Sequence, residues 1–187
     1  MKNKNNEIIA ILLSTLSLFI LLSLIGFKTE YEISDIYNFI INSNYYIDPP
    51  ITGPLGAGIS ALLKKYFLGH GSFALCSILF MYSYLIFSRK DYKDKKYQSF
   101  ALYQLGLGLW VSVFFACFHL YHISDINNID TEALDSSAGL VGWIFYHFLY
   151  STINIFVYIL LPITFIIIIQ GLTHFSIYLF FKDNILS

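Results

Sequence analysis

Four long apolar segments, separated by short polar ones, dominate the pattern of hydrophobic and polar positions along the chain. They cover residues 8–27, about 71–88, about 98–121 and about 153–175. A bilayer core of about 30 Å needs roughly 20 apolar residues in a helix that rises about 1.5 Å per residue. Each segment is therefore predicted to be a membrane-spanning helix, although the second is slightly short unless it begins before Gly71.

The first apolar segment also has features of a signal peptide, because Lys2 and Lys4 precede it. The segment is longer than the roughly 7–15 apolar residues of a secretory signal, and no A-x-A cleavage site follows it. We therefore interpret it as an uncleaved first spanning helix.

Composition supports a membrane protein over a soluble domain. Of the 187 residues, 57% are hydrophobic and only 12% are charged. A soluble domain of this size carries about 25% charged residues. Together with the four apolar segments, these values predict an all-α integral membrane protein with four transmembrane helices.

The distribution of lysine and arginine predicts the orientation of the chain. If the N-terminus is inside, the inner segments hold eight of these residues and the outer segments hold three, so both termini are predicted to be cytoplasmic. The loop 89–97 between the second and third spans dominates this count. Its topology-setting basic residues are Arg89, Lys90, Lys93, Lys95 and Lys96.

An internal repeat divides the chain into two similar halves. A shift of 86 positions places Gly53 over Gly139 and Gly56 over Gly142, and apolar pairs coincide further along. Each copy follows an acidic outer loop and leads directly into a span. We predict a single membrane domain, 1–187, built from two units of span, loop, amphipathic helix and span, at about 8–88 and about 98–175.

The amphipathic helix of each copy is predicted to lie at the outer interface or to dip into it. In the first copy, Lys64 and Lys65 are expected to extend to lipid phosphates. Small residues spaced four apart allow helix backbones to approach closely, and glycines permit the turn into the bilayer. The repeat and packing motif consists of Gly53, Gly56, Ala57, Gly69, Gly71, Gly139 and Gly142.

The second copy departs from the first at the turn into the span. Ile155 and Val157 occupy the places of Gly69 and Gly71. A residue with a side chain cannot adopt every conformation that glycine can. The turn before the fourth span must therefore differ from the turn before the second.

Three residues near the outer end of the third span could bind a metal ion. His119, His122 and Asp125 are three apart and would share one face of a helix, and histidine with carboxylate is a legitimate ligand set. The alternative is that they are ordinary interfacial residues, which we favour because no fourth ligand is specified nearby. A small membrane enzyme or metal-binding protein that uses these residues is the alternative function.

The spans themselves hold no aspartate, glutamate, lysine or arginine, which argues against a transporter or pump. Cys76 and Cys117 lie in apolar runs and are expected to be free, and no zinc-like spacing is present. No cofactor or small-molecule substrate is evident. In the third span, a ladder of small residues predicts a helix-association face, used either within the chain or between subunits, at Gly108, Ser112 and Ala116.

These motifs resemble the N-terminal four-helix membrane domain of FtsK/SpoIIIE-type DNA translocases. The first copy carries the pattern as G53-P-L-G56-A57, then Leu62-Leu63, then G69-H-G-S72. The second copy ends on Gly171-Leu172 after an isoleucine-rich span, as the family does. The resemblance extends over nearly the whole chain.

The resemblance implies a membrane-anchoring and assembly domain that tethers a chromosome-segregation motor at the division septum. It further implies a multi-pass protein of the plasma (inner) membrane, with homo-oligomerisation and contacts to septal proteins. The family's motor has a P-loop, whereas no G-x-x-x-x-G-K-[ST] occurs in this sequence. The chain is therefore expected to be non-catalytic and to meet DNA only through a motor that it does not contain.

Overall fold

The computed structural model describes residues 2–28, 33–41, 51–88, 94–122 and 137–173, and all regular structure in these ranges is helical. The helices are α1 (Lys2–Ile25), α2 (Ser34–Ile41), α3 (Gly53–Ala61), α4 (Phe73–Phe87), α5 (Lys95–His122), α6 (Gly139–Ile153) and α7 (Val157–Thr173). A π-helical turn, Leu62–Tyr66, extends α3, and 3₁₀ turns at Gly69–Ser72 and Asn154–Phe156 precede α4 and α7.

Four helical segments are long and apolar enough to cross a membrane. They are Asn6–Ile25, Gly69–Phe87, Tyr97–Phe118 and Gly139–Thr173. The all-α class with four candidate spans is thus confirmed. The second span does begin before Gly71, and the fourth segment contains both α6 and α7. The predicted orientation of the termini and the limits of the two repeats stay predictions.

Helices α1 and α4 form an antiparallel pair that is held by two serine hydroxyls. Ser17 Oγ donates to the Cys76 carbonyl at 2.8 Å, and Ser83 Oγ donates to the Ala10 carbonyl at 2.7 Å. Both serines are buried. Hydrogen bonds between helices matter in lipid because apolar side chains gain little by leaving hydrocarbon for a neighbouring helix.

Helix α5 lies at the centre of the fold, where it contacts α4, α6 and α7. The main hydrophobic core forms along its face towards α6 and α7. The buried core residues are Val113, Ala116, Cys117, Ala138, Tyr146, Val157 and Leu161. Trp110 on α5 also donates its indole N–H to the Leu161 carbonyl at 2.8 Å, which fixes α7 against α5.

Helices α3 and α6, which the 86-residue shift places in equivalent positions, begin in the same backbone conformation. Gly53 at the start of α3 has φ +71°, and Gly139 at the start of α6 has φ +67°. Positive φ is readily accessible to glycine and strained for most other residues. The coincidence of Gly53 with Gly139 in the sequence therefore has a common backbone reason.

The turns before α4 and α7 also use positive φ, but with different residues. Gly69 has φ +56° before α4, and Asn154 has φ +50° before α7. Asparagine adopts positive φ more often than most non-glycine residues, mostly in the left-handed helical region, whereas Asn154 has ψ −128° and lies outside that region. The residue that makes the second turn is therefore Asn154, one position before Ile155, which the 86-residue shift places opposite Gly69.

Helix α3 packs through small side chains and exposes large ones. Its buried residues are Gly56, Ala57, Gly58, Ser60 and Ala61. Leu55 and Leu62 are exposed. This distribution reverses that of a helix on a soluble protein, and it fits a helix whose outer face meets lipid.

Replacement of Ser83 by alanine removes one of the two α1–α4 hydrogen bonds. We expect a loss of about 0.6–1 kcal/mol of stability, the usual size of such bonds between membrane helices. Thr15→Ala on α1 is the matched control, because the Thr15 hydroxyl bonds only to the Ile11 carbonyl of its own helix. Thermal denaturation in detergent would measure the stability of both variants. Equal losses of stability would contradict a stabilising hydrogen bond from Ser83 to α1.

Candidate functional site

The turn between α3 and α4 joins the two halves of the chain. Its Phe67 carbonyl accepts a hydrogen bond from the Val141 N–H of α6 at 3.2 Å. A Cβ at Gly69 would collide with the backbone of Ser137 and Ala138. We call this contact region the glycine junction, and its residues are Gly69, Gly71, Gly108, Gly139 and Gly142.

Within the glycine junction, Gly71 and Gly108 bring two backbones together. A Cβ at Gly71 would meet the Gly108 carbonyl oxygen far inside van der Waals contact. A Cβ at Gly108 would lie 2.7 Å from the Gly71 carbonyl oxygen and 2.9 Å from the Ala74 Cβ. Neither position can hold a side chain without moving α4 away from α5.

The small-residue ladder of α5 faces the inside of the chain. Gly108 contacts the 3₁₀ turn before α4, and Gly142 of α6 lies against Ser112. The Ser112 hydroxyl donates to the Ala138 carbonyl. Ala116 is 0% exposed in the main core. The structure therefore uses this face for internal packing, one of the two uses that the sequence left open.

The remaining motif residues lie where α3 meets α1. A Cβ at Gly56 would collide with Thr52 and lie 2.8 Å from the Ser23 hydroxyl oxygen. Ala57 is fully buried beside Ala61, with Phe27 packed against both. Gly53 has open space around it, so only its φ selects glycine there.

His70 packs into the glycine junction. Its Nδ1 lies 3.1 Å from the Ser137 carbonyl oxygen, which can only accept, so Nδ1 is the donor. The imidazole also stacks on Phe115 at 4.9 Å between ring centroids. These contacts give the ring a structural role between the two repeats.

Lys64 is buried, contrary to the expectation that its side chain extends to lipid phosphates. Only 6% of the residue is exposed. Its Nζ lies 5.7 Å from the centroid of the Phe27 ring and 5.3 Å from that of Phe73. Burial lowers the pKa of the Lys64 ammonium from its usual value because the charged form loses solvation.

The two rings compensate the Lys64 charge only partly. A desolvated cation–π contact is worth about 2 kcal/mol, whereas a buried ammonium costs several kcal/mol. A sequence signal for this burial exists, because Ala57, Ala61 and Lys64 follow one another at helical spacing on the buried face of α3 and its π-helical extension. The lysine stands where that face would otherwise carry an apolar residue.

The candidate metal ligands and most of the basic loop fall outside the described residues. The backbones of His119 and His122 belong to the last turns of α5, but their side chains and Asp125 are not described. No set of three metal-ligating side chains occurs in the described part of the chain. Of the five basic residues in the loop, only Lys95 has a described side chain, which is exposed, while Arg89, Lys90, Lys93 and the Lys96 side chain lie outside the described part.

An apolar groove of about 450 Å³ runs between α5 and α7. Its lining is mainly aromatic and aliphatic, and the Tyr158 hydroxyl reaches the Tyr146 hydroxyl at 3.4 Å. Such a surface within two candidate spans suits contact with hydrocarbon. The lining residues are Trp110, Phe114, Cys117, Phe118, Tyr158, Leu161, Pro162 and Phe165.

Alanine at Gly71 is expected to disrupt the glycine junction. Its Cβ would push against the Gly108 backbone, and overpacking of this kind costs about 1–3 kcal/mol. Gly106→Ala, on α5 close to Gly108, is the matched control, because its Cβ would meet only the Ile168 side chain at 3.9 Å. Thermal denaturation in detergent should show Gly71→Ala destabilised and Gly106→Ala unchanged or up to about 1 kcal/mol more stable.

Replacement of Lys64 by methionine should change how stability depends on pH. Because burial lowers the pKa of Lys64, the folded state holds this proton less tightly than the unfolded state. Wild-type stability therefore gains as pH rises through the lowered pKa towards the ordinary lysine pKa of 10.5, and Lys64→Met lacks this gain. Lys64→Met should therefore be more stable than wild type, and this difference in stability should be largest near neutral pH and shrink at alkaline pH. Melting curves in detergent would measure it.

The matched control is Lys65→Met, which removes one positive charge from the same turn while leaving the Lys64 site intact. A Lys64→Met difference from wild type that stays constant with pH would contradict the burial of a charged Lys64.

Comparison with known proteins agrees with this architecture. The family described as the 4TM region of DNA translocase FtsK/SpoIIIE matches residues 2–184. Searches of curated proteins and of solved structures found no match. The family match covers all four candidate spans and the glycine junction. The chain therefore belongs to the FtsK/SpoIIIE 4TM family and is a multi-pass membrane domain of the translocase type, distinct from the ATPase motor.

Proposed function

We propose that this chain anchors a chromosome-segregation motor at the division septum and has no catalytic activity of its own. The single observation that carries the proposal is the family match over residues 2–184. The same proposal includes residence in the plasma (inner) membrane with both termini in the cytoplasm. DNA would be met only through a motor attached to the cytoplasmic side.

The packing of the described residues supports an anchoring role. The glycine junction ties the turn before α4 to α5 and α6, and serine hydroxyls tie α1 to α4. Four spans joined in this way form one unit that can hold an attached domain in a fixed position. A lone spanning helix would give an anchor but no such rigid base.

Self-association and contact with septal proteins are further parts of the proposal. Because Gly108, Ser112 and Ala116 are used inside the chain, a second copy would need another surface. Helix α7 offers one, since only Val157 and Leu161 are buried on it. In the most apolar stretch of the fourth candidate span 11% is buried, against 22–33% in the other three.

A fluorescent fusion of the full chain tests the septal proposal in dividing cells. We expect a band at midcell in the wild type and in the matched variant Gly106→Ala. Gly71→Ala should give weaker midcell signal because its glycine junction is disrupted. A wild-type signal spread evenly around the cell envelope would contradict the proposed location at the septum.

Cysteine labelling tests the proposed orientation. With Cys76 and Cys117 replaced by alanine, a cysteine is introduced at Ile51, which is 92% exposed, or at Lys95, which is also exposed. An impermeant maleimide added outside intact spheroplasts should label Ile51→Cys and leave Lys95→Cys unlabelled until the membrane is opened. Labelling of Lys95→Cys but not of Ile51→Cys from outside would show that the orientation is opposite to the one proposed.

A further inference from the structure

Lys64 is the one charged side chain that is buried in the described part of the chain. Eight polar or charged residues are buried there, and the other seven are serines. Serine hydroxyls can be satisfied by helix carbonyls, whereas an ammonium group carries a full charge that carbonyls and rings only partly compensate. A buried cation of this kind is stabilised when an anion pairs with it.

The surroundings of Lys64 supply ring faces in place of an anion. Its Nζ contacts Phe27 and Phe73, and no carboxylate among the described side chains forms an ion pair with it. Every fully buried polar side-chain atom in the described residues has a hydrogen-bond partner. No hydrogen bond joins Lys64 Nζ to another described residue, so Nζ is not among the fully enclosed atoms and part of its surface stays accessible.

The position of Lys64 in the fold indicates which kind of anion could pair with it. Phe27 follows the first candidate span, which ends at Ile25, and Phe73 lies in the first part of the second, which begins at Gly69. The ammonium therefore lies at the boundary between the apolar spans and the aqueous phase. The phosphates of phospholipid headgroups occupy this level of a bilayer.

The residues that flank Lys64 along the chain present apolar surface to the outside. Leu62 is 46% exposed and Tyr66 is 50% exposed, each two positions from Lys64. In a bilayer these side chains contact the acyl chains of a neighbouring lipid.

We propose that Lys64, held between Phe27 and Phe73, binds the phosphate group of a phospholipid at this interface. The ammonium donates hydrogen bonds to phosphate oxygens, and the two rings keep the ammonium in place and limit competition from water. The site differs from ordinary snorkelling, because the lysine stays inside the fold and the lipid comes to it.

Native mass spectrometry of the purified full chain in detergent tests the proposal. The probes are phosphatidylglycerol and a diacylglycerol with the same acyl chains but no phosphate. Wild type should retain phosphatidylglycerol at least about tenfold better than Lys64→Met, the factor that corresponds to loss of one charge-assisted hydrogen bond. Lys65→Met, which removes a charge from the neighbouring half-exposed position, should match wild type.

The remaining variants and probes separate the outcomes. Lys64→Arg should keep most of the retention, because the charge persists, and diacylglycerol should bind all variants alike. Equal phosphatidylglycerol retention by wild type and Lys64→Met would overturn the proposal. So would equal losses in Lys64→Met and Lys65→Met, which would indicate diffuse attraction by positive charge. Displacement of the lipid by millimolar inorganic phosphate would assign the site to free phosphate and overturn the lipid assignment. Circular dichroism verifies that each variant is folded.

Discussion

The close approach of two backbones at Gly71 and Gly108 is the constraint on which the rest of the structure depends. The 3₁₀ turn before α4 can press against α5 only because neither residue has a Cβ. That contact brings the turn alongside α6, where Gly69 and Gly139 allow a second close approach. The two halves of the chain are joined at this point, so the relative placement of the second, third and fourth candidate spans follows from it.

The packing follows from the physics of helices in lipid. Apolar side chains gain little when they move from hydrocarbon to a helix surface, so association depends on close contact and on hydrogen bonds. Small residues are accordingly buried in α3 and along α5, while Leu55 and Leu62 face outwards. The hydroxyls of Ser17 and Ser83 then add directional bonds between α1 and α4.

Lys64 is the exception to this pattern of small and weakly polar buried groups. Its position on the buried face of the α3 extension places a full charge where alanine would pack without a desolvation penalty. Proteins retain buried charges of this kind where they are paired or functional. A lipid phosphate at the membrane boundary gives the charge a partner and gives the anchor a fixed point in the bilayer.

The sequence alone determined the class of the protein. Twenty-residue apolar runs favour a helical span in lipid, since every backbone polar group must be satisfied within the segment. The paired glycines Gly53 and Gly139 were also readable, because a requirement for positive φ restricts the residue type at a single position. The two glycine motifs, together with their positions before the second and fourth apolar runs, were sufficient to indicate the family.

Contacts between distant segments were decided only by the tertiary structure. The ladder Gly108–Ser112–Ala116 could serve a neighbouring subunit or the chain itself, and the arrival of Gly71, Ala138 and Gly142 on that face settled its internal use. Asn154 took over the second turn one position away from the aligned residue, because a turn needs a permitted φ and not a fixed spacing. Lys64 turned inwards because Phe27 and Phe73, from two different parts of the chain, meet around it. Local pattern fixes what a segment can form, whereas a side chain's environment is made by residues far away in the sequence.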